Sequence, residues 1–406
     1  MLSFSLALTV LLDRLGSRFF PLVFHDVPFN PYLRMAVWTA FLGTFSLLPL
    51  AFFQIRERPV PYALATMSNA LLTIGLVINF VVFQKQGVYG YLLGMLLSLA
   101  IFAVLYLIII LRSMRIALRW NTLKAALAFG LPLVPHSLAA WVLELSDRII
   151  LQRFVSLGEL GLYSLGYQFG GIIRLFFTAI NFAWVPFLYK TDAQQGEAAK
   201  PKLARLATYY ALCMCYVSLG LAVFVKEIIF LMTAPAFHSA YRVAPWIIGG
   251  WLFSGLYFIP VNFLFLRSKT GLVPLITIPA GLFNISFNLW LVPRYGIMAA
   301  AWSTFLAYGL MLALAWGIAL RIYPFPYEYT RLGITAAVTA GLFAASMLFQ
   351  FDSVAIEVGV NAVLLLVYPL ALALLGFFTT SEKQAILSFL QQSLVVLQRT
   401  VRRAQS

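Results

Sequence analysis

A chain built from one run of about 20 apolar residues after another has few folds open to it. Each run can cross the hydrocarbon of a bilayer, where no water satisfies the backbone, so each must close its own hydrogen bonds as a helix. Such runs lie near residues 2–24, 32–54, 61–83, 88–111, 130–152, 160–188, 205–232, 243–266, 271–293, 297–320, 332–350 and 356–379, so twelve spans are expected. Composition agrees: 62% of the 406 residues are hydrophobic and 10% charged, against about 25% charged in a soluble domain. The fold class this implies is an all-α integral membrane protein.

A net charge of +15 would suggest nucleic acid in a soluble protein, but its placement points elsewhere. Arg56 and Arg58; Arg112, Arg115, Arg119 and Lys124; Lys190, Lys200, Lys202 and Arg205; Arg267 and Lys269; Arg321 and Arg331; and Lys383, Arg399, Arg402 and Arg403 make up 18 of the 28 basic residues. These groups fall at every second connection. The positive-inside rule puts them, and the C-terminus, in the cytoplasm. No nucleic-acid-binding module accompanies them. Three His and two Cys (Cys213 and Cys215, in an apolar run) form no metal-ligand pattern and read as packing residues.

Sliding the chain by 209 residues aligns Tyr32 with Tyr241, Arg58 with Arg267, Asn79 with Asn288, Lys85 with Arg294 and Gly87 with Gly296. Spans match in the same direction, as in parallel repeats. The expected organisation is a first lobe of four helices (1–111), a cytoplasmic linker (112–129), a second lobe of six helices (130–321), an extra helix pair (322–380) and a cytoplasmic amphipathic tail (381–406). In the tail, Ile386, Leu390, Leu394, Leu397 and Val401 recur at helical spacing. Partners of spans 130–152 and 160–188 would lie before Met1. Either two helices are lost or the start is internal to a longer chain, and the second is the expectation. The first run lacks the basic flank and small-residue cleavage site of a signal peptide.

Charges inside these runs mark the candidate site. His136, Ala140, Leu143, Glu144 and Asp147 share a sector of about 100° on one helix. Tyr163, Tyr167, Gly170, Arg174, Thr178 and Asn181 form a second stripe, with Arg174 at mid-span. Asp13, Arg14 and Arg18 repeat the theme in the first span. An ion near the bilayer centre faces a bundle interior or a wet cavity. The structural alternative is a Glu144–Arg148 salt bridge at i, i+4, with Arg174 paired to an acid of another helix. Unpaired, Arg174 would grip phosphate oxygens. Lys226 and Glu227 are expected to snorkel to the interface. Prolines and glycines such as Pro132, Pro135, Gly170 and Pro186 suit hinges.

The stretch "FGLPLVPHSLAAWVLELSDRIILQRF" and the following "LGELGLYSLGYQFGGIIRLFFTAINFAWVPFLY" resemble the seventh and eighth helices of Wzx-type polysaccharide flippases. These belong to the multidrug, oligosaccharidyl-lipid and polysaccharide exporter superfamily. More loosely the resemblance covers the whole chain, including "ERPVPYAL". It implies a MATE-like two-lobe helix bundle of fourteen helices, the first two missing here, in a bacterial inner membrane. It implies as cargo an oligosaccharide on undecaprenyl pyrophosphate, flipped by alternating access for surface polysaccharide such as O-antigen or lipopolysaccharide, with polymerase and chain-length machinery as partners. Arg148 and Arg174 then fall in the helices that hold the pyrophosphate, with Arg14 and Arg18 as further candidates. Many family members have Lys where this chain has Gln168. Tyr163, Tyr167, Thr178 and Asn181 could meet sugar hydroxyls, and Glu144, Asp147 and Asp13 are candidates for proton or Na+ coupling. No other cofactor is implied.

The nearest rivals are a cation-coupled drug exporter and a lipid II flippase of the same superfamily. A membrane glycan polymerase or glycosyltransferase is more distant. The short outer connections carry no carboxylate pair suited to acid–base chemistry, so no enzyme is expected.

Overall fold

The computed structural model describes residues 2–22, 27–56, 58–113, 120–121, 123–124, 127, 133–348, 353–380 and 382–384. The expected tail helix, with Ile386 to Val401, and most of the 112–129 linker lie outside the described residues. Among the described residues every regular element is helical. Eight helical stretches are long and apolar enough to cross a membrane, so this is a multi-pass membrane protein. The chain divides into two compact units, Met1–Phe129 and Gly130–Ser406.

The first unit holds α1 (Leu2–Phe19), α2 (Arg34–Gly43), α3 (Leu47–Ile55), α4 (Pro59–Ile78) and α5 (Gly87–Ser113). A single tight turn at Thr44–Ser46 joins α2 to α3, so the two together fill the second expected span. Pro59 stands in the first turn of α4, where a missing N–H removes no helical bond. The α5 helix packs on α2 and α4. Polar side chains fasten it to α4: Thr73 Oγ1 donates to Ser98 Oγ at 2.8 Å, which lies 3.1 Å from Asn69 Oδ1.

The second unit holds α6 (Leu133–Leu151), α7 (Leu157–Gly171), α8 (Ile173–Gln195), α9 (Lys200–Met232), α10 (Ala244–Leu266), α11 (Pro274–Ile322), α12 (Tyr329–Leu348) and α13 (Val354–Leu374). A capping box starts α7: Ser156 Oγ accepts from the Glu159 N–H, and Glu159 Oε2 accepts from the Ser156 N–H, both at 3.2 Å. The span expected at 160–188 is two helices, interrupted at Ile172 just after Gly170–Gly171. The α1 and α6 helices are not among the eight membrane-length stretches. Each carries three acidic or Arg residues: Asp13, Arg14 and Arg18 in one; Glu144, Asp147 and Arg148 in the other.

The 209-residue shift has a physical origin inside each unit. Gly87 opens α5 at φ +55°, and its counterpart Gly296 breaks α11 at φ +57°. Both glycines take the left-handed conformation that turns one helix back against the next. Small residues then recur where the paired helices touch. A Cβ on Gly90 would come within 3.0 Å of the Phe80 backbone, and one on Gly94 within 2.9 Å of the Val77 backbone. Their counterparts Ala299 and Ser303 are fully buried.

Close approach also joins α7 to α10 and to the 3-10 turn before it, Pro235–Arg242. A Cβ on Gly166 would lie 2.8 Å from the Ala240 carbonyl oxygen, and one on Gly170 would lie 2.8 Å from Ile247 Cγ2. The pair therefore works as a small-xxx-small contact rather than as a free hinge. The α12 and α13 helices pack on α9 through Leu219, Val338 and Tyr368. Here the structure corrects the expectation that Lys226 snorkels. Its Nζ reaches both carboxylate oxygens of Glu357 on α13, at 2.6 and 2.8 Å, and Asn361 donates to Glu227 Oε1 at 3.2 Å. Glu357 is nearly buried, and a charge so placed is held by a counter-ion rather than by a distant water layer.

Gly170→Val should lower stability by about 1–3 kcal/mol, the usual cost of overpacking. Gly171→Ala, whose Cβ would meet nothing nearer than 3.7 Å, should stay near wild type. Thermal unfolding of the purified protein in detergent compares the two. By the same measurement Lys226→Ala should cost roughly 3 kcal/mol, because it strands the Glu357 carboxylate. Adding Glu357→Ala should recover most of that loss.

Candidate functional site

The interruption at Ile172 places Arg174 in the first turn of α8, facing α6. Its Nη1 donates to Glu144 Oε1 at 2.6 Å, and its guanidinium lies 5.3 Å from the Trp251 ring centroid. The pair is not sealed in: side-chain exposure is 54% for Arg174 and 39% for Glu144. Both residues line a cavity of about 370 Å³ whose other walls include Trp251, Tyr257, Phe258 and Tyr308.

One turn along α6 the alternative of a Glu144–Arg148 bridge does not form between the side chains. Arg148 Nη1 instead donates to the Glu144 backbone carbonyl at 2.8 Å and lies 3.5 Å from Asp147 Oδ1. The guanidinium rests 4.2 Å from the centroid of the Tyr167 ring. Glu144 is thereby left to Arg174, and charges alternate along the site: Arg174, Glu144, Arg148, Asp147.

The last of these is 1% exposed. Asp147 accepts from the Arg148 N–H at 2.9 Å and from the Tyr163 hydroxyl, and Thr304 Oγ1 lies 3.4 Å from it, sharing its proton with the Ala300 carbonyl at 3.0 Å. A second buried group adjoins it in sequence on both α6 and α11. Asn284 Oδ1 accepts from Ser146 Oγ at 3.1 Å and from Asn288 Nδ2 at 3.2 Å, and Asn284 Nδ2 donates to Ser303 Oγ at 3.0 Å. Asn288 Oδ1 is buried without a hydrogen-bond partner among the described residues. Among the described residues no cluster of three His, Cys, Asp or Glu occurs, so this centre offers one carboxylate with hydroxyl and amide oxygens. Such a set suits a proton or a hard monovalent cation.

The other expected residues scatter. Tyr163 and Tyr167 are buried, one bonded to Asp147 and the other beneath Arg148, so neither hydroxyl faces a sugar in this conformation. Thr178 is exposed, but its hydroxyl donates to the Arg174 carbonyl at 2.9 Å. Asn181 Oδ1 accepts from Asn262 Nδ2 at 2.8 Å. Gln168 is exposed, and His136 and Ala140 have side chains outside the described residues. In the first unit Arg14 and Arg18 are exposed on α1. Asp13 is paired not with them but with Arg34, which donates to both carboxylate oxygens at 2.7 and 3.0 Å. A forked ion pair across neighbouring helices satisfies that carboxylate.

Sequence reasoning did not single out Thr304, Ser146, Asn284 or Trp251. Asn284 and Asn288, one turn apart in an apolar helix, were the available signal, because buried amides in a membrane span seek partners on other helices.

Comparison with known proteins adds what the chain is similar to. Residues 5–192, somewhat under half of the chain, match the family described as polysaccharide biosynthesis protein. Over 90% of its length the chain superposes on 80% of a lipid II flippase, MurJ, in an inward closed conformation, with a TM-score of 0.69 at 12% identity. It superposes over 79% on 77% of a point mutant of the Vibrio cholerae MATE transporter VcmN, with a TM-score of 0.57 at 15% identity. The fold is that of the MurJ and MATE transporters. In sequence, an uncharacterized membrane protein of Haemophilus influenzae is 28% identical over 274 residues, 65% of each chain. The Lsg locus putative protein 1 of the same species is 27% identical over 148 residues, 36% of each. The chain thus spans 65% or less of the length of these curated relatives. The family match over residues 5–192 includes "FGLPLVPHSL" and the residues after it.

Tyr163→Phe should cost about 1–3 kcal/mol by stripping one donor from a buried carboxylate. Combined with Asp147→Asn, the loss should be less than the sum of the two single changes. Unfolding curves for the four proteins of that cycle decide it.

Proposed function

We propose that this protein is a flippase for an oligosaccharide carried on a polyprenyl diphosphate, working by alternating access in surface polysaccharide synthesis in a bacterial inner membrane. The observation that carries the reading is Arg174, half exposed on the wall of a cavity inside a membrane-length bundle. A headgroup with about two negative charges cannot cross hydrocarbon alone, whereas its lipid tail can stay in the bilayer. A guanidinium offers two parallel donors to phosphate oxygens, and the faces of Trp251 and Tyr257 offer an apolar wall to sugar rings. Asp147, with Tyr163, Thr304 and the neighbouring Asn284 group, is the coupling centre of this reading, taking up a proton or Na+. The family match over residues 5–192 supports the polysaccharide assignment.

A second reading has one observation in its favour. Apart from the Glu144–Arg174 pair, much of the cavity wall is aromatic, as would suit an amphipathic drug. A complementation assay in a strain lacking its polysaccharide flippase separates the two. Wild type should restore surface glycan, and Arg174→Ala should reduce it at least about tenfold, the scale of a lost charge-assisted contact. Full export by Arg174→Ala, or drug resistance without glycan export, would reject the flippase reading.

A further inference from the structure

Arg174 is already occupied. Its Nη1 is 2.6 Å from Glu144 Oε1, so an incoming phosphate oxygen meets an ion pair rather than a bare cation. Three features of the surroundings make that carboxylate exchangeable. The pair is about half exposed and lines the cavity, and ion pairs in contact with water are weak. Trp251 holds the guanidinium from the side, so Arg174 keeps its place when its partner leaves. Arg148 lies one turn beyond Glu144 on the same helix, a separation at which an acid and a base can meet. At present it spends one nitrogen on the Glu144 carbonyl and a long contact of 3.5 Å on Asp147.

We propose that Glu144 is a displaceable counter-ion: it neutralises Arg174 while the cavity is empty and moves to Arg148 when an anionic diphosphate headgroup binds. This rests on the flippase reading above and adds a step to it. Charge balance then propagates inward. With the diphosphate on Arg174, the Glu144 carboxylate needs a cation, and Arg148 is the nearest one along α6. An Arg148 that turns to Glu144 gives up its contact with Asp147. The buried Asp147 is left with the donors from Tyr163, Thr304 and its own backbone neighbour, and with a negative charge that a proton or monovalent cation can offset. Cargo binding at the cavity and cation uptake at the buried carboxylate are thereby linked through two side chains on one helix. The groups facing Glu144 in this scheme are Arg174 from α8, Tyr308 from α11 and Trp251 from α10, with Arg148 and Asp147 on α6 itself.

The test uses inorganic pyrophosphate as the headgroup probe, titrated by calorimetry into the purified full chain in detergent. Freed of its competitor, Glu144→Gln should bind pyrophosphate about fivefold more tightly than wild type, the scale of a water-exposed ion pair. Arg174→Ala should abolish binding. Glu144→Gln with Arg174→Ala should match Arg174→Ala alone, because the effect of Glu144 acts through that arginine. Unchanged or weaker binding by Glu144→Gln, with binding still lost in Arg174→Ala, would overturn the counter-ion proposal and leave the cationic site standing. Binding that survives Arg174→Ala would overturn both. Absence of binding in wild type and Glu144→Gln alike would also overturn the proposal, since an unlocked Arg174 must hold the anion.

Discussion

An ionised side chain placed where water is scarce costs several kcal/mol unless a counter-charge or a set of donors meets it. The α6 helix carries three such side chains between Glu144 and Arg148, and much of the second unit's arrangement follows from satisfying them. Arg174 must arrive from α8 to meet Glu144, Tyr163 from α7 to meet Asp147, and Thr304 from the second half of α11. Each contact fixes the backbone positions behind it to within hydrogen-bond reach of the two side chains. The break at Gly296 is the bend that lets the second half of α11 make its meeting.

Packing supplies what the polar contacts cannot. Helices in lipid gain little from hiding apolar surface, so they associate through close van der Waals contact and interhelical hydrogen bonds. Gly166 and Gly170 let α7 approach α10, while Gly90 and Gly94 do the same between α4 and α5. The recurrence of small residues at 209-residue separation reflects one geometric demand met in both units. The Lys226–Glu357 pair shows the polar version of the same adhesion, fastening α13 to α9.

Most spans were legible because hydropathy and helix length are properties of a single segment. The turn glycines Gly87 and Gly296 were visible as a repeat, although their left-handed conformation was not. Pairings were harder. A local rule pointed from Glu144 to Arg148, yet the long Arg148 side chain turned to the backbone carbonyl and Glu144 took a partner 30 residues away. Asp13 likewise went to Arg34, near the start of the second expected span, and Lys226 to a glutamate 131 residues on. Such partners depend on which helices touch, and one sequence does not encode that in any window. The charged residues of the second-unit site lay on the expected helices, and Tyr167 and Arg174 of the expected stripe both lie against Trp251, while Tyr163 is buried and Thr178 exposed.

Position along the helix shapes the chemistry of the site. Arg174 stands two and three turns beyond Tyr167 and Tyr163, roughly 10 and 16 Å along a helix, so it meets Glu144 at the cavity rather than the buried Asp147 that Tyr163 reaches. A pair with Asp147 would have formed in the driest place. Electrostatic attraction rises as the local dielectric falls, so such a pair would have been hard to part. Its place along the helix instead sets Arg174 against Glu144 in contact with the cavity and leaves Asp147 to hydroxyls, a backbone amide and a longer contact with Arg148. The second unit therefore presents a weak, exchangeable ion pair at the wet end of the chain of charges and a firmly hydrogen-bonded carboxylate at the dry end. A cargo that must be both seized and released is better served by the first, and a small cation that must be held against leakage by the second.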